Sequence, residues 1–129
     1  MTLLYSRHSL ALVALAILFL SIDTWGHVTS SYHTTWWVDI VTHLLFGAWL
    51  ALALLHPTLW RYSKTPLFIF TFVMLAGVGW EILEYLRDTL YAAPRGITLG
   101  QHGLGDSLKD IVNNSLGACG AFLAYHMHK

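Results

Sequence analysis

Residues 37–55 read WVDIVTHLLFGAWLALALL, nineteen residues in which Asp39 is the single charged side chain and Thr42 and His43 are the other strongly polar ones. Crossing a hydrocarbon core of about 30 Å takes about 20 helical residues at 1.5 Å each. This stretch therefore predicts a membrane-spanning helix with its polar groups confined to one end. Asp39 and His43 are four apart, so they share a helix face.

Working outward, three further apolar stretches have similar length. Leu10–Ile22 (LALVALAILFLSI) reaches spanning length if its helix runs from about Tyr5 to about Trp25. Pro66–Tyr85 (PLFIFTFVMLAGVGWEILEY) and Ser107–Tyr125 (SLKDIVNNSLGACGAFLAY) supply the others. Arg7 ahead of the first apolar run also fits a signal peptide, but no small-x-small cleavage site follows Ser21-Ile-Asp-Thr-Trp-Gly26. Trp25, Trp36, Trp37, Trp60, Tyr62, Tyr85 and Tyr91 fall near the ends, where interfacial aromatics sit. The expected fold is all-α: an integral membrane four-helix bundle, up-down-up-down. One transmembrane domain covers 1–129, with helices at about 5–25, 37–55, 66–85 and 107–125.

Composition agrees. The chain of 129 residues is 56% hydrophobic and 11% charged, with a mean hydropathy of +0.56. A water-soluble domain of this length carries about 25% charged residues. A formal net charge of zero gives no reason to expect a nucleic-acid partner, and the single cysteine, Cys119, excludes an internal disulfide. The lipid bilayer is the expected environment. Arg7, Arg61, Lys64 and Lys129 lie on one side of such a bundle; Arg87, Arg95 and Lys109 lie on the other. The short loop with Arg61 and Lys64 has no acid, so the positive-inside rule places both termini in the cytoplasm and the protein in the inner (cytoplasmic) membrane.

The acids are distributed unevenly. All seven (Asp23, Asp39, Glu81, Glu84, Asp88, Asp106 and Asp110) fall at outer helix ends or in outer loops. Glu81 and Glu84 are i,i+3, and Asp106 and Asp110 are i,i+4 with Asn113 and Asn114 continuing the stripe. Gly47, Gly77 and Gly117 each lie one turn deeper, where glycine lets helices approach closely. The three stripes are therefore expected to face one another as a funnel entering the bilayer from outside.

Each member has a simpler reading. Asp106 and Ser107 suit a helix cap, and Asp39 suits the positive end of a helix dipole. A lone His43 suits a hydrogen-bonded interior histidine, and Trp49 and Trp80 suit packing. Glu81 and Glu84 oppose the dipole at a helix C-terminus and resist that account. Arg87, Arg95 and Lys109 are not expected to neutralise all five clustered carboxylates. The excess charge then calls for bound cations or for protonated carboxyls.

A metal site on Asp39, His43, Glu81, Glu84, Asp106, Asp110 and Asn114 is one answer. Oxygen-rich ligation with one imidazole suits a divalent Mg, Mn, Fe or Zn ion. A proton-sharing carboxyl cluster that orders the bundle is the other. His27, His33 and His102 belong to outer loops as further ligands or as solvated histidines. The loop RDTLYAAPRGITLGQHGLG (87–105), with its four glycines, suits a lid or binding loop. His8, His56, His126 and His128 on the opposite side carry no signal.

The run Asp39-Ile-Val-Thr-His43, then Glu81-Ile-Leu-Glu84, then Asp110-Ile-Val-Asn-Asn114-Ser-Leu-Gly117 resembles the VanZ-like membrane proteins and related small uncharacterised families. It covers roughly Trp37 to Ala121. Ile40 stands where a basic residue is usual, Glu84 where glutamine is common, and Gly120 one position early. The resemblance implies a shared site of Asp39, His43, Glu81, Asp110 and Asn114, and it implies no specific activity; the namesake is associated with glycopeptide resistance.

Three functions follow as expectations. One is a metal-dependent hydrolase or transferase acting on a lipid or lipid-linked substrate, with Glu81 or Glu84 as general base. Another is a non-catalytic envelope or antibiotic-resistance-type protein with a structural polar core. The third is a cation or proton carrier, for which four short helices make a poor conduit. No serine or cysteine nucleophile is recognisable beside a histidine and a carboxylate.

Overall fold

The computed structural model describes residues 2–56, 59, 64–97, 99–100 and 103–127, with side chains from Arg7 onward. Trp60, Arg61, Tyr62, His102, His128 and Lys129 lie outside the described residues. Among those described there is no strand. The helices are α1 (Thr2–Val28), α2 (Ser31–Thr34), α3 (Trp36–Leu55), α4 (Pro66–Arg87) and α5 (Leu104–Met127).

The start of α4 is written locally. Pro66 opens the helix, where its missing N–H costs nothing, and the Thr65 side chain accepts from the Phe68 amide at 3.3 Å. The other boundaries differ from expectation. Residues 87–105 are largely not a loop, because α4 continues through a π turn (Asp88–Ala92) and a 3-10 turn (Ala93–Arg95) before Gly96 breaks it at φ 65°. Glu81 and Glu84 therefore lie well inside a continuous helical run. His27 lies in the last turn of α1 and His33 in α2, not in loops. The last helix begins at Leu104, so Asp106 and Ser107 occupy its first turn and do not cap it.

Among the described residues, three helical stretches are long and apolar enough to cross a membrane: Arg7–Val28, Trp36–Leu55 and Pro66–Arg95. Their outward side chains, such as Leu10, Ile17, Leu67 and Leu75, are exposed. A bilayer explains that exposure. The first half of α5 carries Asp106, Lys109, Asp110, Asn113 and Asn114, which lowers its hydropathy below that of the other three.

The packing orders the helices around α3. It packs most extensively on α5, and α1 lies against it as well; α4 packs mainly on α5. The pairs of facing residues give the directions. His43 meets Asp110, while Gly47 meets Asn114 and Gly117 meets Leu44, so α3 and α5 run parallel. Gly77 of α4 meets Asn114, and Ile69 and Val73 join Ala121 and Tyr125 in the core, so α4 runs antiparallel to α5. Ser9 hydrogen-bonds His56 at 3.2 Å and Phe19 meets Phe46, so α1 runs antiparallel to α3. The apolar core of Ala51, Leu54, Leu55, Ile69, Val73, Ala118, Ala121 and Tyr125 fills the end away from the acids.

Two glycines set the α3–α5 distance. A Cβ on Gly47 would fall on the Asn114 carbonyl, and one on Gly117 would fall on the Leu44 carbonyl. The backbones touch, as small residues permit in membranes. Gly47→Ala is therefore expected to destabilise by about 1–3 kcal/mol or more through overpacking against backbone. Gly120→Ala, where a Cβ meets no atom within 4 Å, should be neutral or stabilising by up to about 1 kcal/mol. Thermal unfolding of the two variants in detergent checks the contrast.

Candidate functional site

Asp39 sits in the first turn of α3, where the helix dipole favours a carboxylate. Thr42 spends its hydroxyl locally, donating to the Val38 and Asp39 carbonyls at 3.1 and 2.8 Å. His43, one turn below Asp39, is buried. Its Nε2 lies 3.5 Å from Asp39 Oδ1 and 3.7 Å from Asp110 Oδ2. Both separations exceed the roughly 2.7–3.2 Å of a good hydrogen bond. One ligating atom from each of Asp39, His43 and Asp110 falls within 4.8 Å of the others.

Lys109 joins the same cluster from α5. Its ammonium donates to Asp39 Oδ2 at 2.7 Å and to Asp106 Oδ1 at 2.5 Å, and it lies 3.6 Å from Asp110 Oδ1. The two oxygens of Asp39 are thus divided, one on lysine and one toward histidine. Arg87 is engaged by Asp88 at 2.8 Å. Arg95 lies over the Tyr91 ring at 4.2 Å and donates to the Tyr91 carbonyl at 3.0 Å. Among the described residues, Lys109 is the basic residue that hydrogen-bonds the clustered carboxylates, and the Arg87 charge also acts on Glu84.

Within this cluster and just below it, buried polar atoms have no hydrogen-bond partner among the described residues. They are Glu81 Oε1, Asp110 Oδ1, Asn113 Nδ2 and both terminal atoms of Asn114. Asn114 is wholly buried and its Nδ2 sits against Gly77. Because Glu81 lies one turn from Gly77, and Asp110 one turn from Asn114, the antiparallel packing brings Glu81 to the level of Asp110. Leaving a buried polar group unpaired costs about 1–3 kcal/mol, so this concentration demands an explanation.

Above the cluster is a cavity of about 300 Å³. Asp39, Thr42 and His43 line it from α3, Glu84 from α4, and Asp106 from α5. Phe19, Phe46 and Trp80 provide apolar wall. Tyr32 of α2 closes part of the outer side and donates its hydroxyl to Asp23 at 2.7 Å. Burial first, and then the Asp23 carboxylate, hold the Tyr32 phenol well above the ordinary tyrosine range.

The residues expected from the sequence thus divide in three. Asp39, His43 and Asp110 come together, with Glu81 buried at the level of Asp110; Glu84 and Asp106 face the cavity; Asn114 lies buried one turn beneath. His27 and His33 line the outer rim of the cavity. Trp80, expected to be packing, lines it too. Thr42, Phe46 and Tyr32 were not singled out. Phe46 did carry a signal, being three residues after His43 and seven after Asp39 on the same face. Tyr32 carried none, since its position depends on the turn between α1 and α3.

These features define an all-helical membrane protein with a buried aspartate–histidine site under a half-apolar cavity. Over residues 4–129 the sequence matches the family described as predicted membrane protein, DUF2238. The chain belongs to that family. The match supports the expectation of an uncharacterised membrane family and does not support the VanZ-like assignment specifically. No curated protein and no solved structure matches the chain.

Removing the lysine tests the charge balance. Lys109→Met removes the ammonium that bridges Asp39 and Asp106 and, because that ammonium is well exposed, should lower stability at neutral pH by about 1 kcal/mol or less. The deficit should narrow as pH falls, because protonation removes the carboxylate charges. Thermal denaturation of wild type and variant between neutral and acidic pH reads both effects.

Proposed function

We propose that the chain crosses the inner membrane four times, up-down-up-down with cytoplasmic termini, and that Asp39, His43 and Asp110 bind a divalent cation serving a hydrolase or transferase reaction. The burial of α5's polar stripe against α3 and α4 supports counting it as a span despite its composition.

The observation that carries the metal reading is the geometry around His43 Nε2. Carboxylate oxygens stand 3.5 and 3.7 Å from it, too far for good hydrogen bonds. Two ligands about 2.1 Å from a tetrahedral ion are roughly 3.4 Å apart. Glu81, with its unpartnered oxygen at the same level, is the further ligand or the second-layer acceptor that steadies the first three. One imidazole among carboxylates suits magnesium, manganese, iron or zinc. Lys109 holds Asp39 Oδ2 and Asp106 and thereby leaves Asp39 Oδ1 for the ion.

Such an ion, held by Asp39, His43 and Asp110, would lower the pKa of a water at the site and polarise a phosphoryl or acyl oxygen. Glu84, which lines the cavity as Glu81 does not, takes the water proton as general base. The deprotonated water oxygen would form the new bond to phosphorus or carbon. The ester oxygen leaves with the bonding pair and receives a proton back from Glu84. Asp106 and Lys109 frame the outer side of the reacting group.

The Lys109 bridges favour a second reading, a non-catalytic envelope protein whose carboxylate–lysine network only orders the helices. Elemental analysis and Mn²⁺ titration of protein purified without added metal separate the two. About one equivalent bound by wild type, and at least tenfold weaker binding by a folded Asp110→Asn variant, are the expected results. Lack of metal in wild type, with Asp110→Asn changing only stability, would favour the structural network. For the chemistry, Glu84→Gln should retain metal and lose turnover by about 10²–10⁴.

A further inference from the structure

The structure assigns the cavity a side entrance, and we propose that its occupant is a membrane amphiphile. Its hydrocarbon chain lies in the gap between α1 and α4, and an oxygen-rich headgroup (a phosphate or carboxyl ester) sits at Asp39, His43 and Glu84. This names the substrate class of the site proposed above and rests on that reading.

The gap is a feature of the packing. α1 and α4 both border the cavity, yet among the described residues no Cα of one lies within 8 Å of the other. α1 contributes Phe19 and Asp23 to the lining, and α4 contributes Trp80 and Glu84. The cavity is therefore the space these two helices leave open over α3. Among the described residues, α1 packs mainly on α3 and α2, and it meets α5 where His8 stacks on Tyr125, at the end away from the cavity.

The lining changes character with depth. Toward the outer end are Asp23, Asp39 and Glu84; deeper, Phe46 lies 6.0 Å from Phe19 and 6.3 Å from Trp80, ring centre to ring centre. These three rings belong to three different spanning stretches, so they meet at hydrocarbon depth. An entrance from water would not require an aromatic floor there. Tyr32, Tyr91 and Ile97 border the cavity from the segments that follow α1 and α4 at the outer end. A polar end outward and an apolar end inward is the orientation of a lipid already resident in the leaflet.

Size supports the division. About 300 Å³ is at the small end of the roughly 300–1,000 Å³ of ligand pockets. That volume takes a headgroup and the first atoms of a chain, not an entire lipid. The remainder of the chain must lie in the open gap and the bilayer beyond.

The test uses the full chain in phosphatidylcholine vesicles with a small fraction of phosphatidylglycerol carrying a diazirine midway along one acyl chain. After irradiation, labelled positions are mapped by mass spectrometry, with the lipid-facing Leu75 as the reference for bulk contact. The expected result is labelling at Phe46, Phe19 and Trp80 comparable with Leu75. Phe46→Trp, which fills the gap, should lower the label at Phe19 and Trp80 severalfold and leave Leu75 unchanged. Mn²⁺ titration of the same vesicles reads the metal site separately. Gap labelling without Mn²⁺ binding would support the lipid entrance and defeat the metal reading. Label at Leu75 with none at Phe46, or cross-links from the gap to a second copy of the chain, would overturn the entrance whatever the Mn²⁺ result.

Discussion

The backbone contact between α3 and α5 governs the rest of the molecule. Gly47 lies on the Asn114 carbonyl and Gly117 on the Leu44 carbonyl, so the two helices meet in one register with little freedom to slide. That register sets Asp110 beside His43 and Lys109 beside Asp39. In lipid there is little hydrophobic force between helices, and close packing of small residues takes its place. A larger side chain at either glycine would separate the helices and with them the two halves of the polar cluster.

Charge is the second constraint. At the outer end Asp39, Asp106 and Asp110 converge on one ammonium group, while Arg87 and Arg95 are engaged elsewhere. One lysine cannot neutralise three aspartates together with nearby Glu81 and Glu84. Desolvation makes that imbalance costly, and a second cation or shared protons must make up the difference. The unpartnered atoms of Glu81, Asp110 and Asn114 belong to the same problem. They are buried by the helix contact that creates the site, so the stability of α3–α5 packing offsets the cost of holding them ready.

α1 plays a different part. It supplies an apolar wall and the carboxylate that accepts the Tyr32 hydrogen bond, without joining the α3–α4–α5 polar core. Its detachment from α4 is what leaves space above His43. A tighter bundle would bury the same cluster with no room beside it.

Much of this was legible in the sequence because its signals are local. Apolar length gave the helices, the four-residue spacing of Asp39 and His43 gave a shared face, and the position of Gly47, Gly77 and Gly117 gave the close approaches. The helical continuation through residues 88–95 was not legible, because the four glycines between 96 and 105 made the whole stretch read as loop, while the backbone hydrogen bonds that sustain the π and 3-10 turns leave no residue signature. Nor was the helix start at Leu104, set by the Gly103 carbonyl. The sequence by itself determined an all-helical membrane chain and the gathering of its acids at one end of the helices, since both depend on composition and spacing along single helices. Only the tertiary structure decided which acid meets which partner. Lys109 reaches Asp39 across 70 residues of chain, and Asp110 faces His43, because parallel packing of α3 and α5 brings their first turns together.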